Sequence, residues 1–158
     1  MSEQEDPRSE IRGQAFRLLA RREYSRRELA LKFARKYQDA DIEAVLDQLV
    51  AEGYQSDRRF VELFVRNRVS QLQGLNKIRF DIRQKGIAEQ ELEEVLQEQA
   101  PDWFDLALQA RLRRFPQVDR SDRKQLAKQM RHLLQRGFSM EEARYALDAE
   151  PDEPDWPT

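Results

Sequence analysis

Cysteine is absent from this chain, and histidine occurs once, at His132. Without thiols there are no disulfides and no thiolate metal sites, which fits a reducing compartment. A single imidazole leaves no Cys–His pair and no multi-histidine metal site, so His132 reads as a partly exposed mid-helix residue. Neither G-x-x-x-x-G-K-[ST] nor G-x-G-x-x-G occurs, so the loops with which many nucleotide enzymes cradle phosphate are missing too. Carboxylates are plentiful, but they fall at helix-surface spacing without apolar burial to raise a pKa, and read as solvated faces. No apolar run approaches the roughly 18–20 residues of a membrane span, and no signal-peptide core lies near the N-terminus. These absences argue against catalysis, a metal, any cofactor and a membrane partner. The expectation is a cytoplasmic, monomeric protein that is not an enzyme.

Helix breakers are scarce as well. There are 5 glycines and 6 prolines, the prolines confined to Pro7, Pro101, Pro116 and the last residues. Long helical runs therefore go uninterrupted, and the fold class is expected to be all-α.

Charge of one overall sign is also lacking, since the net charge is only −2. That near-neutrality is the sum of opposed blocks. Residues 8–36 carry +7 and 39–52 carry −5; 58–85 carry +6 and 88–105 carry −7; 111–136 carry +7 and 141–155 carry −6. Apolar anchors repeat in step: Tyr37, Ile87 and Phe138 enter the acidic segments, followed by Ile42, Leu92 and Ala143, then Leu46, Leu96 and Leu147, at offsets of 50 and 51 residues. A fixed period of that size signals stacked helical units, none able to bury much core alone. The boundaries read as 9–55, 56–100 and 101–149, between disordered ends at 1–8 and in the acidic, Pro-rich tail 150–158, which holds Trp156.

Within the first unit, a helix is expected over about 9–23 with Ile11, Ala15, Leu18 and Leu19 on one face. Ser25-Arg26-Arg27-Glu28 has the form of a capping box and opens a helix that buries Leu29 and Phe33 and ends near Tyr37. The next helix carries Ile42, Val45, Leu46 and Leu49, and Gly53 closes it in a left-handed turn. In the second unit, Ser56 or Asp57 caps a helix burying Phe60, Val61, Phe64, Val65 and Leu72. Leu75, Ile78 and Ile82 form the stripe after Gly74, while Phe80 lies about 160° away and is expected to pack against a neighbouring unit. In the third, Pro101 is placed in a first helical turn ahead of Trp103, Leu106, Ala107, Ala110 and Phe115. A helix over 121–136 should bury Leu126, Met130, Leu133 and Leu134, and Ser139-Met140-Glu141-Glu142 forms a second capping box. Truncating Leu96 in the central unit should cost about 2–5 kcal/mol, more than truncating Leu147 near the end.

The basic segments are the functional candidates, because Lys and Arg on a helix face neutralise phosphates with little regard to base sequence. Arg26, Arg27, Arg58, Arg59, Arg66, Lys77, Arg79, Arg83, Lys85, Arg131 and Arg136 are the residues singled out. Arg21, Arg22, Arg111, Arg113, Arg114, Lys124 and Lys128 belong to the same basic blocks. Arg79 and Arg83, one turn apart, project together.

Several motifs in order carry a family resemblance. Gly53-Tyr-Gln-Ser-Asp-Arg-Arg-Phe60, the step from Gly74 to Lys77-Ile78-Arg79, Gln84-Lys85-Gly86-Ile87, Arg136-Gly137-Phe138 and Ser25-Arg26-Arg27-Glu28-Leu29 together resemble the RecX recombination regulators, over about 11–147. Two positions depart from that pattern, Gln55 after Gly53-Tyr54 and the Gln73-Gly74-Leu75-Asn76 step, and both are expected on surface turns. The resemblance implies three tandem three-helix repeats stacked into an elongated, curved molecule. It implies as partners the RecA recombinase filament together with single-stranded and double-stranded DNA, and inhibition of RecA ATPase, strand exchange and coprotease activity. On the residues alone, a stand-alone DNA-binding protein or a purely structural helical adaptor fits as well.

Overall fold

The computed structural model describes residues 6–149 and holds, among them, nine α-helices and no strand. They are α1 (Pro7–Leu19), α2 (Arg26–Phe33), α3 (Asp39–Ala51), α4 (Asp57–Ser70), α5 (Leu75–Gln84), α6 (Glu89–Gln99), α7 (Trp103–Arg114), α8 (Arg123–Gln135) and α9 (Met140–Asp148). None of these is long and apolar enough to cross a membrane. Residues 1–5 and 150–158, with Trp156, lie outside the described residues; of the segment 1–8 expected to be disordered, Asp6 caps α1 and Pro7 and Arg8 belong to it.

Helix starts follow the local chemistry read from the sequence. Both capping boxes form: Ser25 Oγ accepts the Glu28 N–H and Ser139 Oγ the Glu142 N–H, each at 3.1 Å, while the glutamates return to the serine N–H groups at 3.0 Å. The first helix begins earlier than expected. Asp6 caps it, accepting from the Arg8 N–H, and Pro7 takes the first turn, where a missing N–H costs nothing. It also ends earlier, at Leu19. The N–H groups of Arg21 and Arg22 turn back to the Leu18 carbonyl, and this turn carries Tyr24 into the core with the Arg22 guanidinium 3.6 Å over its ring. α2 likewise stops at Phe33, and Tyr37 beyond it is pinned by donating to Glu10 at 2.7 Å.

The chain folds into two compact units, the first made of 6–66 and 81–99, the second of 67–80 and 100–149. In the first unit Ile11, Ala15, Leu29 and Phe33 are buried with the α3 stripe Ile42, Val45, Leu46 and Leu49, and Gly53 ends α3 at φ +81°. Within α6 the stripe is shifted by one residue from the expected one. Leu92 and Val95 are fully buried and Leu96 only half-buried, whereas Leu147 is buried, so the expected ranking of the two leucine truncations reverses.

The second unit packs Leu106, Ala107, Ala110, Leu133, Phe138, Ala143, Ala146 and Leu147, with Val69, Leu72, Trp103 and Met130 against them. Several details differ from expectation. Pro101 lies before α7, whose N-cap is Asp102, accepting from the Asp105 N–H. On α8, Leu134 is exposed and Gln129 is buried in its stead, because 126, 129, 130 and 133 form the inward face. Leu72 lies past the end of α4 at φ +60° and still reaches this core. Phe64 is only half-buried. Phe80 is 59% exposed, so the packing expected for it is not made.

In the second unit two turns bring their backbones into direct contact. The Gly74 N–H donates to the Arg136 carbonyl at 2.8 Å and the Asn76 N–H to the Gly137 carbonyl at 3.0 Å. A Cβ on Gly74 would overlap Gly137 and the Phe138 nitrogen, while Gly137 itself sits at φ +103°. Both positions need glycine for a stated reason, one for space and the other for conformation. Gly74→Ala is therefore expected to destabilise the chain by about 1–3 kcal/mol. Gly13→Ala, inside α1 with only the Arg17 guanidinium near at 3.9 Å, should stabilise it by about 0.5–1 kcal/mol. Urea unfolding of the two variants measures both.

Candidate functional site

The stretch 53–60 turns out to be a clamp within the first unit. Gln55 is buried, its side-chain N–H groups reaching the Tyr24 carbonyl at 3.2 Å and the Asp57 carboxylate at 3.0 Å. Asp57 in turn accepts the Arg26 N–H at 2.9 Å, placing a negative charge on the N-terminus of α2. Ser56 caps α4 by accepting from the Arg59 N–H. Tyr54 sets its ring edge-on to Phe16 at 4.7 Å. Gln55 is thus no surface residue, and neither is Gln73, which is also buried. Each glutamine stands where a backbone carbonyl and a cap meet, or beside a glycine contact, and not on an open turn.

Most of the basic residues singled out from the sequence are engaged inside the fold. Arg26 bonds Glu43 at 2.5 Å and Asp47 at 2.8 Å across α2 and α3. Arg58 gathers Glu62 at 3.3 Å, Glu91 at 3.8 Å, and Glu94 and Glu98 both at 2.6 Å, joining α4 to α6. Arg59 pairs with Glu23 and donates to the Gly53 and Tyr54 carbonyls at 2.8 and 3.1 Å. Lys85 reaches Glu28 at 3.1 Å, and Arg83 lies 3.8 Å from Glu89. Arg79 also has an interaction within the protein. By contrast Arg27, Arg66, Lys77 and Arg131 are exposed and form no ion pair with another described residue.

Two arginines of the second unit cap helix ends. Arg111, 1% exposed, donates from Nε to the Ala146 carbonyl at 3.0 Å and from its terminal nitrogens to Phe115, Pro116 and Ala149. These are carbonyls at the C-termini of α7 and α9, where a cation is favoured. Burial pushes the Arg111 pKa down from its ordinary value. It cannot meet a phosphate, which corrects its inclusion in the basic blocks. The sequence did hold a signal for this: Arg111 is one turn after Ala107 and adjacent to Ala110, on the apolar stripe. Arg136 donates to the Gln71 and Leu72 carbonyls that follow α4.

Cations with no acid partner among the described residues line two concavities. In the first unit a groove of about 410 Å³ runs over Leu18 and Phe33 between Gln14, Arg17, Arg21 and Lys32. Arg17 and Lys32 were not among the sequence candidates, because the groove needs α1 and α2 to be docked before it exists. In the second unit a cleft of about 700 Å³ is walled by Arg113, Arg114, His132 and Arg136. Burial, then the charges of Arg136 and Arg114, hold the His132 pKa below the ordinary imidazole value. Among the described residues no group of three or more His, Asp or Glu is placed to hold a metal ion.

Comparison with known proteins adds the following. Family models described as the first, second and third three-helix domains of RecX match residues 12–49, 56–96 and 101–147. "Regulatory protein RecX" of Chromohalobacter salexigens is 45% identical over 137 residues, covering 86% of this chain and 90% of that protein. Its counterpart in Halorhodospira halophila is 41% identical over 150 residues, covering 94% and 93%. A crystal structure of regulatory protein RecX superposes with a TM-score of 0.76 at 21% identity, over 91% of this chain and 73% of that one. RecX from Lactobacillus salivarius gives 0.73 at 20% identity, over 90% and 97%. These two structures share the all-α repeat fold.

Two expected outcomes follow from the engaged cations. Arg111→Met should cost about 2–4 kcal/mol in chemical unfolding, since it leaves buried carbonyls without donors. Glu28 tests the pH dependence. Burial alone would raise its pKa, but the Ser25 N–H, Lys85 and Arg22 outweigh burial and lower it. A carboxylate depressed in the folded state stabilises above its unfolded pKa of about 4.3, and that stability is lost as pH falls through the folded value. Stability should therefore drop between about pH 5 and pH 3, and Lys85→Met should drop less over the same interval, as read from urea midpoints across a pH series.

Proposed function

The chain belongs to the RecX family of regulatory proteins, and we propose that it binds the filament formed by the RecA recombinase on single-stranded DNA and lowers its ATPase, strand-exchange and coprotease activity. It works by binding and not by catalysis, as a cytoplasmic monomer whose three helical modules span 9–55, 56–100 and 101–149. The reading rests on the family and on one observation of this chain. After its own acids have neutralised Arg26, Arg58, Arg59 and Lys85, a set of exposed cations is left with no acid partner among the described residues: Arg27, Arg66, Lys77 and Arg131. Charges of this kind contact phosphates and release counterions, giving salt-sensitive and sequence-independent attachment. The paired arginines serve folding, so the contacts to DNA and RecA are assigned to the unpaired ones.

The test is the RecA ATPase on single-stranded DNA with this protein added below the RecA concentration. Wild type should inhibit. Arg66→Glu combined with Arg131→Glu should lose most of that inhibition while keeping its stability to within about 0.5 kcal/mol, since both positions are exposed. Inhibition that appears only when the protein is abundant enough to coat the DNA would instead indicate a stand-alone DNA-binding protein. Absence of binding to either DNA or RecA would leave a structural adaptor.

A further inference from the structure

The cleft of the second unit has a composition that the repeat pattern does not require. Arg113 and Arg114 come from the end of α7, His132 and Arg136 from the end of α8, and the floor is Leu72 and Ala110. Among the described residues no carboxylate lines it. Its volume of about 700 Å³ lies within the range of small-ligand sites. The walls are held in place. Arg136 is fixed through Nε and one terminal nitrogen by the Leu72 and Gln71 carbonyls. The Arg114 guanidinium lies 4.8 Å over the Phe115 ring, and that ring meets His132 edge-on at 5.4 Å.

We propose that this cleft seats a backbone phosphodiester of single-stranded nucleic acid, with Arg113, Arg114 and Arg136 as its cationic walls, and that His132 takes up a proton when the seat is filled. The proposal rests on the reading that the protein works on a DNA filament, and deepens it by naming one phosphate site. Three arginines lining one cleft with no carboxylate among the described residues repel each other, and a phosphate relieves that repulsion. Burial, and after it the charges of Arg136 and Arg114 beside the ring, disfavour charge on His132. An anion there reverses the sign of the local field, so the imidazolium becomes the favoured form. The charged groups that line the cleft with His132 are Arg113 and Arg114 at the end of α7 and Arg136 just past α8, while Glu141, Glu142 and Asp148 of α9 do not line it. Binding should therefore tighten as pH falls from about 7.5 to about 6.

The chain has one histidine, so its imidazole proton resonance reports on this cleft alone. With the full-length protein, the His132 titration midpoint is expected to rise by about one pH unit or more when oligo-dT is added to saturation. Arg113→Gln with Arg114→Gln, checked for fold by circular dichroism, should flatten the log–log salt dependence of oligo-dT binding by about 0.7 per arginine. An unchanged His132 midpoint in saturated wild-type protein overturns the proposal. So does an equal rise caused by inorganic phosphate at the same phosphate concentration, which would make the cleft a simple anion site. If RecA is inhibited while His132 stays unmoved, the cleft fails and the filament reading stands. If His132 moves while RecA is unaffected, the filament reading fails and the cleft stands.

Discussion

Helix C-termini leave carbonyls without intrahelical partners, and in a chain of short helices with 5 glycines that demand recurs at every turn. Arginine meets much of it here. Arg59 donates to the Gly53 and Tyr54 carbonyls after α3, Arg136 to those of Gln71 and Leu72 after α4, and Arg111 to Phe115 and Ala146 at the ends of α7 and α9. Arg120 does the same for the Asp148 carbonyl at 2.7 Å. A guanidinium suits the task because its fork of donors can serve two or three carbonyls while its charge meets the negative end of the helix dipole. Buried Arg111 illustrates the balance. It has no acid beside it among its bonded partners, and carbonyl dipoles replace the water it loses.

The second use of arginine is to tie a basic helix to the acidic helix of the same module. Arg58 does this between α4 and α6, Arg26 between α2 and α3, and Arg12 between α1 and α3 through Glu52 at 2.6 Å. Exposed ion pairs are individually weak, so their interest lies less in stability than in subtraction. Each one removes a cation from the surface available to a partner. Alternation of basic and acidic segments is thus partly an internal device, and the pairing decides which cations remain on the surface.

Glycine and glutamine mark where backbones come close. At Gly74 and Gly137 two turns bond directly to each other, and the buried Gln73 lies beside them. At Gln55 a buried amide joins the Tyr24 carbonyl to the Asp57 cap of α2. These polar contacts hold segments far apart in sequence and specify register more than they add stability.

The sequence by itself determined the helices, the two capping boxes, the left-handed turn at Gly53 and most of the core, because each depends on contacts within one or two turns. Ser25 and Glu28 bond across three residues, and Ile42, Val45 and Leu49 share a face by geometry alone. Tertiary structure decided which cations are spent and which remain, since Lys85 finds Glu28 57 residues away and Arg58 finds Glu98 40 residues away. It also decided that Leu96 and Leu134 face outward in part, while Gln129 and Arg111 go inside. Periodicity gives the face on which a residue lies. Whether that face meets a carbonyl, an acid or water depends on the partner helix, and no local pattern contains that partner.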